Sequence, residues 1–153
     1  MSETPDRLRI FIDADVLFAG SASPTGASHI VLELAELGII EAIVSGQVRR
    51  EVERNLMAKL PAALPAFRAL VDACCASVAD PDPAASQVLS KAGLADPKDA
   101  PILASALEHR CSWLLTFNLR DYRPEGRIQV APPGDFLAEL RERLAAMSRP
   151  ARR

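Results

Sequence analysis

The sequence predicts a three-layer α/β/α domain in which helices cover both faces of a central parallel sheet of four to five strands. Three observations lead to this prediction. The length of 153 residues suits one domain. Short apolar runs alternate with longer segments of helical spacing, and no repeat or linker interrupts the alternation. We therefore treat residues 1–153 as a single domain and expect residues 148–153 to form a mobile tail.

The strands are predicted from apolar runs that are too short for core helices. Residues 8–12 are rich in Ile, Leu and Phe, which indicates a central strand buried on both faces. A cluster of Gly, Ser and Pro over residues 20–26 predicts a loop. The five predicted strands span residues 8–12, 39–44, 76–79, 112–117 and 127–130.

Apolar residues three or four positions apart predict the helices between these strands. Ile30, Leu34 and Leu37 form one such stripe, which stops at Gly38, and Ser45 is expected to cap the next helix. The predicted helices span residues 30–37, 46–60, 66–74, 84–92, 97–107 and 135–147. The inward-facing residues of the last helix are predicted to be Phe136, Leu137, Leu140 and Leu144.

Composition and charge exclude several classes of protein. A formal charge of −2 and a pI near 5.7 lack the basic excess of a protein that coats nucleic acid. The apolar runs fall far short of the ~18 residues that span a bilayer, so we expect a cytoplasmic protein with no membrane contact. Cys74, Cys75 and Cys111 have no C-x-x-C spacing and are predicted to be reduced, buried thiols.

Acidic residues follow or flank the predicted strands, at the sheet edge where open α/β sheets bind their ligands. Asp13 and Asp15 come directly after the first strand. The later acids are Glu51, Glu53, Asp96, Asp99 and Asp121. Like charges ~4 Å apart repel by about 1–4 kcal/mol, so the cluster calls for a cation. Oxygen ligands without His or Cys favour Mg²⁺ or Mn²⁺ over Zn²⁺.

Four segments of the chain resemble the motifs of the PIN domain, a nuclease family that includes bacterial toxin ribonucleases. They are F-I-D-A-D-V-L at 11–17, I-V-S-G-Q-V-R-R-E-V-E at 43–53, D-P-K-D-A-P-I-L-A-S-A-L at 96–107 and L-L-T-F-N-L-R-D-Y at 114–122. Their order and spacing follow the family pattern over nearly the whole chain. The resemblance implies a PIN-like fold, whose parallel sheet is Rossmann-like.

The resemblance also implies an endoribonuclease that hydrolyses RNA phosphodiester bonds with the help of Mg²⁺ or Mn²⁺. The implied metal ligands are Asp13, Glu51, Asp99, Asn118 and Asp121, and the four acids among them are the implied catalytic residues. Asp15 stands where the family usually has Asn, and Asn118 where it often has Asp, so either Asn118 or Asp121 would complete the metal ligands. Helical periodicity does not choose between Glu51 and Glu53, and the family pattern favours Glu51.

Asp15 and Asp96 are secondary candidates for the same site. Asp15 would approach the metal through water or cap the following loop. Asp96 precedes Pro97 and is expected first to be the N-cap of the next helix and only second a ligand.

Substrate contacts and partners follow from the same resemblance. The predicted RNA-binding residues are Thr116, Arg50, Lys98 and Arg120. The alternative interpretation is that the three basic residues are solvated surface charges and that the Thr116 hydroxyl bonds the backbone. The implied partners are RNA, the antitoxin of a toxin–antitoxin pair, and a second copy of this chain in a homodimer.

Two other functions fit part of the sequence. F-I-D-A-D-V also matches the first motif of haloacid-dehalogenase-like phosphatases, in which Asp13 would be a nucleophile that accepts phosphate. That family's last acidic pair should follow an apolar strand, whereas residues 91–95 look like a helix end and a turn. The second alternative is an inactive PIN domain that only binds partners, which a missing fourth acid at Asn118 would favour.

Overall fold

The computed structural model describes residues 7–148 and Pro150, and a five-stranded parallel sheet forms its centre. The strands are β1 (Leu8–Ile12), β2 (Ile40–Ser45), β3 (Cys75–Val78), β4 (Trp113–Leu115) and β5 (Gln129–Ala131). Their order across the sheet is β3-β2-β1-β4-β5, and every neighbouring pair is parallel. The predicted α/β class and strand number are confirmed, although β4 is shorter than the predicted run over 112–117, and β5 begins two residues later and ends one residue later than predicted.

Seven helices flank the sheet in the described part of the chain. They are α1 (Ala14–Ala22), α2 (Ala27–Glu36), α3 (Gly46–Lys59), α4 (Leu64–Cys74), α5 (Pro83–Lys91), α6 (Ala100–Glu108) and α7 (Pro133–Met147). Helices α5 and α6 pack against each other, and α6 contacts β2 and β4. Helices α1 to α4 and α7 contact one another as a second group. This division is the one that right-handed crossovers require when the strand order reverses at β1.

Helix α1 corrects the loop that was predicted over residues 20–26. The segment after β1 is helical as far as Ala22, and Gly20 lies inside the helix. A Cβ at Gly20 would lie 2.8 Å from Cδ1 of Leu32 and 3.1 Å from the Ser28 carbonyl oxygen. The glycine therefore permits the close packing of α1 on α2 rather than a turn, and the loop is confined to residues 23–26.

Burial of apolar side chains explains the position of the outer helices. Trp113 of β4 meets Phe136 of α7 edge to face, with ring centroids 5.2 Å apart, and both rings are buried. Burial of a large apolar side chain contributes about 1.5–3 kcal/mol, so this contact holds α7 on the sheet. The predicted inward stripe of α7 is wrong at Leu144, which is 58% exposed, because the helix runs past the end of the core. In α2 the buried apolar side chains are Val31 and Leu32 rather than Ile30 and Leu37.

Three helices, α2, α5 and α6, end in the same backbone motif. The residue after each C-cap has a positive φ, of 77° at Gly38, 75° at Gly93 and 56° at Arg110. In α6 the Arg110 N–H donates to the Leu107 carbonyl and the Cys111 N–H to the Ala106 carbonyl. Glycine is the usual residue here because a Cβ in this conformation costs roughly 1–2 kcal/mol. Arg110 occupies the positive-φ position at which the other two helices have glycine.

The remaining predictions on the chain as a whole have mixed outcomes. The three cysteines are free thiols, with Cys74 and Cys111 buried and Cys75 partly buried. Among the described residues, no helix is both long and apolar enough to cross a membrane. Ser148 is the C-cap of α7. The predicted mobile tail over residues 148–153 otherwise lies outside the described residues, apart from Pro150.

Candidate active site

The strand order reverses at β1, and the candidate site lies outside the carboxyl ends of β1 and its neighbour β4. Successive strands run from β1 towards β3 on one side and continue with β4 and β5 on the other. A crevice at such a reversal is where open α/β sheets bind ligands. A cavity of about 250 Å³ occupies this position, which we call the carboxyl-edge cavity. Its lining residues are Asp13, Ala14, Asp15, Gln47, Glu51, Lys98, Asp99, Asn118 and Asp121.

Asp13 lies where β1 passes into α1, and both of its carboxylate oxygens accept hydrogen bonds. The Ala14 N–H donates to Oδ1 at 2.8 Å as part of the helix cap, and the Tyr122 hydroxyl donates to Oδ2 at 2.9 Å. The Asp13 side chain is 7% exposed and Tyr122 is 4% exposed. Burial raises the pKa of Asp13, although these hydrogen bonds oppose the shift. The carboxylate is therefore held in one orientation at the floor of the cavity.

Asp15 joins the ends of β1 and β4. Its Oδ1 accepts the Val16 N–H at 2.8 Å, and its Oδ2 accepts the Phe117 N–H at 2.9 Å and the Thr116 hydroxyl at 3.4 Å. Burial and the negative charge of Asp13 raise the pKa of Asp15. Thr116 is fully buried, lies outside the cavity lining, and also accepts the Asn118 N–H. This geometry favours the alternative interpretation of Thr116, that its hydroxyl orders the turn after β4.

Asp99 is the residue whose environment departs furthest from that of an ordinary surface acid. It is the N-cap residue of α6, but its side chain makes no capping hydrogen bond. Burial, followed by the hydrogen bond and charge of Asp121 and the charge of Asp13, raises the pKa of Asp99 to about 7. Its Oδ2 atom is buried without any hydrogen-bond partner in the described structure. A buried acceptor without a donor is costly, and a cation would supply the missing contact.

Carboxylate oxygens of Asp96, Asp99 and Asp121 lie within 4.8 Å of one another, close enough to share a cation. Asp96 nevertheless differs from the other two, because it lies outside the cavity lining and accepts a hydrogen bond from Arg123 at 2.9 Å. That hydrogen bond lowers the pKa of Asp96. The charge of Asp96 is thus already compensated, and we place the candidate metal ligands on the cavity side, with Asp99 and Asp121.

The expected capping role of Asp96 is also corrected. Helix α6 begins at Ala100, four residues later, and residues 97–99 form a turn. The Asp96 carbonyl accepts the N–H groups of Asp99 and Ala100, while its carboxylate turns towards Arg123. Pro101 occupies the first turn of the helix, where its missing N–H costs nothing.

The structure distinguishes Glu51 from Glu53, which helical spacing could not do. Glu51 lines the carboxyl-edge cavity with an exposed side chain, whereas Glu53 accepts a hydrogen bond from Arg68 at 3.0 Å on another face of α3. Glu51 and Glu53 therefore allow a comparison between an acid that lines the cavity and an acid that is paired outside it.

Of the three predicted basic substrate contacts, Lys98 alone lines the cavity. Arg50 makes an ion pair with Asp80, and Asp80 also accepts the Gln47 N–H at 2.8 Å, so this pair fixes the start of α3. Arg120 is exposed and lies outside the cavity lining. Positive charge within the lining is therefore limited to one lysine among several acids.

Two residues of the site were missed by the sequence interpretation. Gln47 lines the cavity and precedes Glu51 by one helical turn, a spacing that the sequence displays. Tyr122 reaches the site through its hydroxyl, and the signal was that a buried tyrosine needs a hydrogen-bond partner. Tyr122 is the last residue of the motif at 114–122, but nothing in the sequence identifies its partner, Asp13, 109 residues earlier.

Comparison with known proteins agrees with this architecture. The chain superposes with a TM-score of 0.61 on a chain of VapBC2 from Rickettsia felis, solved bound to a DNA fragment from their promoter. The match covers 80% of this chain and 97% of that one at 13% identity, and so supports the fold alone. No curated protein matches the sequence. The PIN domain model matches residues 9–120, nearly three quarters of the chain, and the protein therefore belongs to the PIN domain family.

Proposed function

We propose that the protein is an endoribonuclease that depends on Mg²⁺ or Mn²⁺. The observation that carries the proposal is the acidic group at the strand reversal, formed by the buried Asp13 and the partly buried Asp99 and Asp121. Within this group, the buried Oδ2 atom of Asp99 has no partner in the described structure. Membership in the PIN family, whose members are generally nucleases, supports the same reaction class. All of the offered ligands are oxygen atoms, the donor type that suits Mg²⁺ and Mn²⁺.

The proposed roles follow from the contacts of each side chain. Asp13 and Asp99 are the inner ligands, and Glu51, Asn118 and Asp121 complete the set from the cavity walls. One or two divalent ions bound there would neutralise the scissile phosphate and lower the pKa of the attacking water. With its pKa raised to about 7, Asp99 is protonated in only part of the metal-free molecules near neutral pH and would release that proton on becoming a ligand.

Substrate positioning is assigned to Lys98 and to exposed groups at the rim. Lys98 is the basic residue of the cavity lining and would hold a phosphate oxygen next to the ligand cluster. Arg120 is exposed two residues after Asn118 and would contact RNA outside the cavity. Arg50 forms an ion pair with Asp80, which compensates its charge. We therefore assign no direct contact with RNA to Arg50.

A protein partner of the antitoxin type is part of the proposal. Its support is the likeness to a chain of the VapBC2 complex, together with the family's bacterial toxin members. The homodimer stays a prediction from the sequence. Co-expression with the product of any small reading frame that adjoins the gene, followed by size-exclusion chromatography, tests for the antitoxin. A co-eluting complex that blocks RNA cleavage is the expected result, and an independent elution of the two proteins would contradict this part.

The phosphatase alternative receives no support from the fold. It requires an acidic pair after an apolar strand, whereas Asp96 and Asp99 lie in the turn that connects α5 with α6. An aspartyl-phosphate on Asp13, detected by mass spectrometry after incubation with p-nitrophenyl phosphate, would reverse this conclusion.

The test of the proposed function is cleavage of a fluorescently labelled RNA by the purified protein with Mg²⁺, Mn²⁺ or EDTA. We expect cleavage with either metal and none with EDTA. Asp13→Asn should abolish cleavage and keep a cooperative melting transition, while Glu53→Gln serves as the control for loss of an acid on α3. Cleavage that persists in EDTA, or in Asp13→Asn, would show that the carboxyl-edge cavity is not a metal-dependent nuclease site.

A further inference from the structure

A second cavity, of about 400 Å³, lies at the opposite edge of the sheet, where β1 begins. We call it the amino-edge cavity. Its lining residues are Arg7, Leu8, Arg9, Glu41, Arg110 and Ser112. The length of β1 separates it from the carboxyl-edge cavity, about 16 Å at ~3.3 Å for each of its residues. The two cavities share no lining residue.

The charge of the amino-edge cavity is positive and partly preorganised. Three arginines from two segments, Arg7 and Arg9 at the start of β1 and Arg110 after α6, line it together with one carboxylate of the described residues, that of Glu41. Arg9 donates from Nε to Glu41 at 3.2 Å and from Nη1 to the His109 carbonyl at 3.0 Å. These two hydrogen bonds fix the plane of the Arg9 guanidinium, and its Nη2 has no partner within residues 7–148. Within the described residues, the one acid of the lining is thus already neutralised, and the charges of Arg7 and Arg110 are in excess.

Arg110 stands at a position where its own helix end favours glycine. Helices α2 and α5 close with the same hydrogen-bonded motif and place Gly38 and Gly93 there. At the end of α6 the chain has Arg110 instead, with a φ of 56°, and this side chain lines the cavity. An arginine that occupies an unfavourable backbone conformation and lines a basic cavity indicates a use for its side chain.

We propose that the amino-edge cavity binds a phosphate group through Arg7, Arg9 and Arg110, with the Ser112 hydroxyl as a further donor. A site with two excess positive charges suits an anion of more than one charge, and the planar guanidinium fork matches phosphate oxygens. The lining contains Leu8 as its one apolar side chain, so a ligand recognised through a large apolar surface does not fit. The proposal is independent of the nuclease activity proposed for the other edge.

The test measures thermal unfolding with diphosphate and with chloride at equal ionic strength, in EDTA throughout. Diphosphate should raise the Tm of the wild-type protein by binding the folded state. Arg110→Gly should have a higher Tm than wild type in chloride, because glycine relieves the positive φ, and should bind diphosphate at least tenfold more weakly. Arg54→Ala removes an exposed arginine from α3 and should retain the wild-type response to diphosphate.

Three outcomes would overturn the proposal. They are a wild-type protein that does not respond to diphosphate, an Arg110→Gly variant that responds as wild type does, and an equal loss of response in Arg54→Ala. The last would show that net charge rather than the cavity attracts the anion. Because Arg110→Gly is expected to stabilise the fold, a loss of response in this variant does not reflect unfolding.

A second measurement identifies the source of the phosphate. A fluorescent 12-residue oligouridylate is titrated with the wild-type protein and with Arg110→Gly, in EDTA and at several salt concentrations. Weaker binding by the variant, with a salt dependence reduced by about one phosphate contact, assigns the site to an RNA strand that extends from the other edge. Unchanged oligonucleotide binding, combined with lost diphosphate binding, assigns it to a small phosphorylated molecule.

Discussion

The two edges of the parallel sheet carry opposite charges and stabilise them in different ways. At the carboxyl edge, Asp13 is buried and Asp99 is partly buried, each has another acid nearby, and the pKa of each is raised. At the amino edge, Arg9 and Glu41 form an ion pair whose side chains are 44% and 36% exposed. Solvent and mutual attraction stabilise the second arrangement, whereas the first requires a proton or an external cation. The acids of the carboxyl edge therefore lower the stability of the metal-free protein, and a bound cation would restore it.

Loss of Asp99, a partly buried acid at the carboxyl edge, should have the largest effect on activity. Asp99→Asn is expected to reduce kcat/KM for RNA cleavage by more than about 100-fold, since even residues that only support metal ligands contribute about 10–100-fold. The same variant should not lower the Tm of the metal-free protein, because it removes one of several like charges. Single-turnover cleavage and calorimetry measure the two effects. A 100-fold loss of activity together with a large loss of Tm would assign Asp99 a structural role instead.

Tyr122 tests whether orientation of Asp13 contributes to metal affinity. Tyr122→Phe keeps the buried ring and removes the hydroxyl that donates to Oδ2 of Asp13. We expect Mn²⁺ affinity to fall by about tenfold, at the lower end of the range for residues that orient metal ligands. Electron paramagnetic resonance of free Mn²⁺ gives the affinity without reference to cleavage. An unchanged affinity would show that the Ala14 N–H alone fixes Asp13.

Glu51 and Glu53 separate the effect of the cavity from the effect of charge on α3. Glu51→Gln is expected to weaken Mn²⁺ binding by a few-fold, less than the loss of a buried ligand, because Glu51 is exposed at the cavity wall. Glu53→Gln removes the same charge from a residue paired with Arg68 and should leave the affinity within about twofold of wild type. Equal losses of affinity in both variants would indicate that Mn²⁺ responds to the net negative charge of α3 rather than to direct contact with Glu51.

The comparison of these two glutamates shows where sequence prediction stopped. The parallel sheet, its number of strands and the acids after β1 followed from apolar runs and their ends. The choice between Glu51 and Glu53 did not, because both flank the buried stripe of Val48, Val52 and Leu56 equally. The two residues differ in their tertiary contacts. Arg68 of α4 pairs with Glu53, whereas Glu51 lines the carboxyl-edge cavity.

Long-range contacts account for the other errors of prediction. Asp96-Pro97 has the local form of a helix start, but the hydrogen bond from Arg123 draws the Asp96 carboxylate away from the helix. Gly20 has the local form of a loop, but the approach of Leu32 explains it inside α1. In both cases the deciding neighbour lies at least 12 residues away in sequence, beyond the reach of local propensity.

The raised pKa of Asp99 makes the stability of the metal-free protein depend on pH. An acid whose pKa is about 7 when folded and 3.8 ordinarily holds its proton more strongly in the folded state. The stability that it contributes is therefore fully present below pH about 4 and is lost as the pH rises through about 7. We expect the Tm in EDTA to fall by a few degrees between pH 5 and pH 8, and by less in Asp99→Asn. Saturating Mg²⁺ should remove most of this decline.

The smallest effect is expected at the exposed ion pair of the amino edge. Glu41→Gln should change the free energy of unfolding by less than about 1 kcal/mol, because exposed ion pairs gain little from their attraction. Urea denaturation at low and high salt measures this change. A larger loss would mean that Glu41 supports the fold through Arg9 and His109, and the contrast between the two edges would have to be revised.

The location of bound Mn²⁺ shows directly whether the acids of the carboxyl-edge cavity hold a metal ion. Crystals of the wild-type protein soaked in Mn²⁺ would be measured at a wavelength where manganese scatters anomalously. We expect an anomalous peak in the carboxyl-edge cavity, within about 2.2 Å of oxygen atoms from Asp13 and Asp99. A cavity without a peak at saturating Mn²⁺, or a peak held by Asp96 without either of these residues, would contradict it.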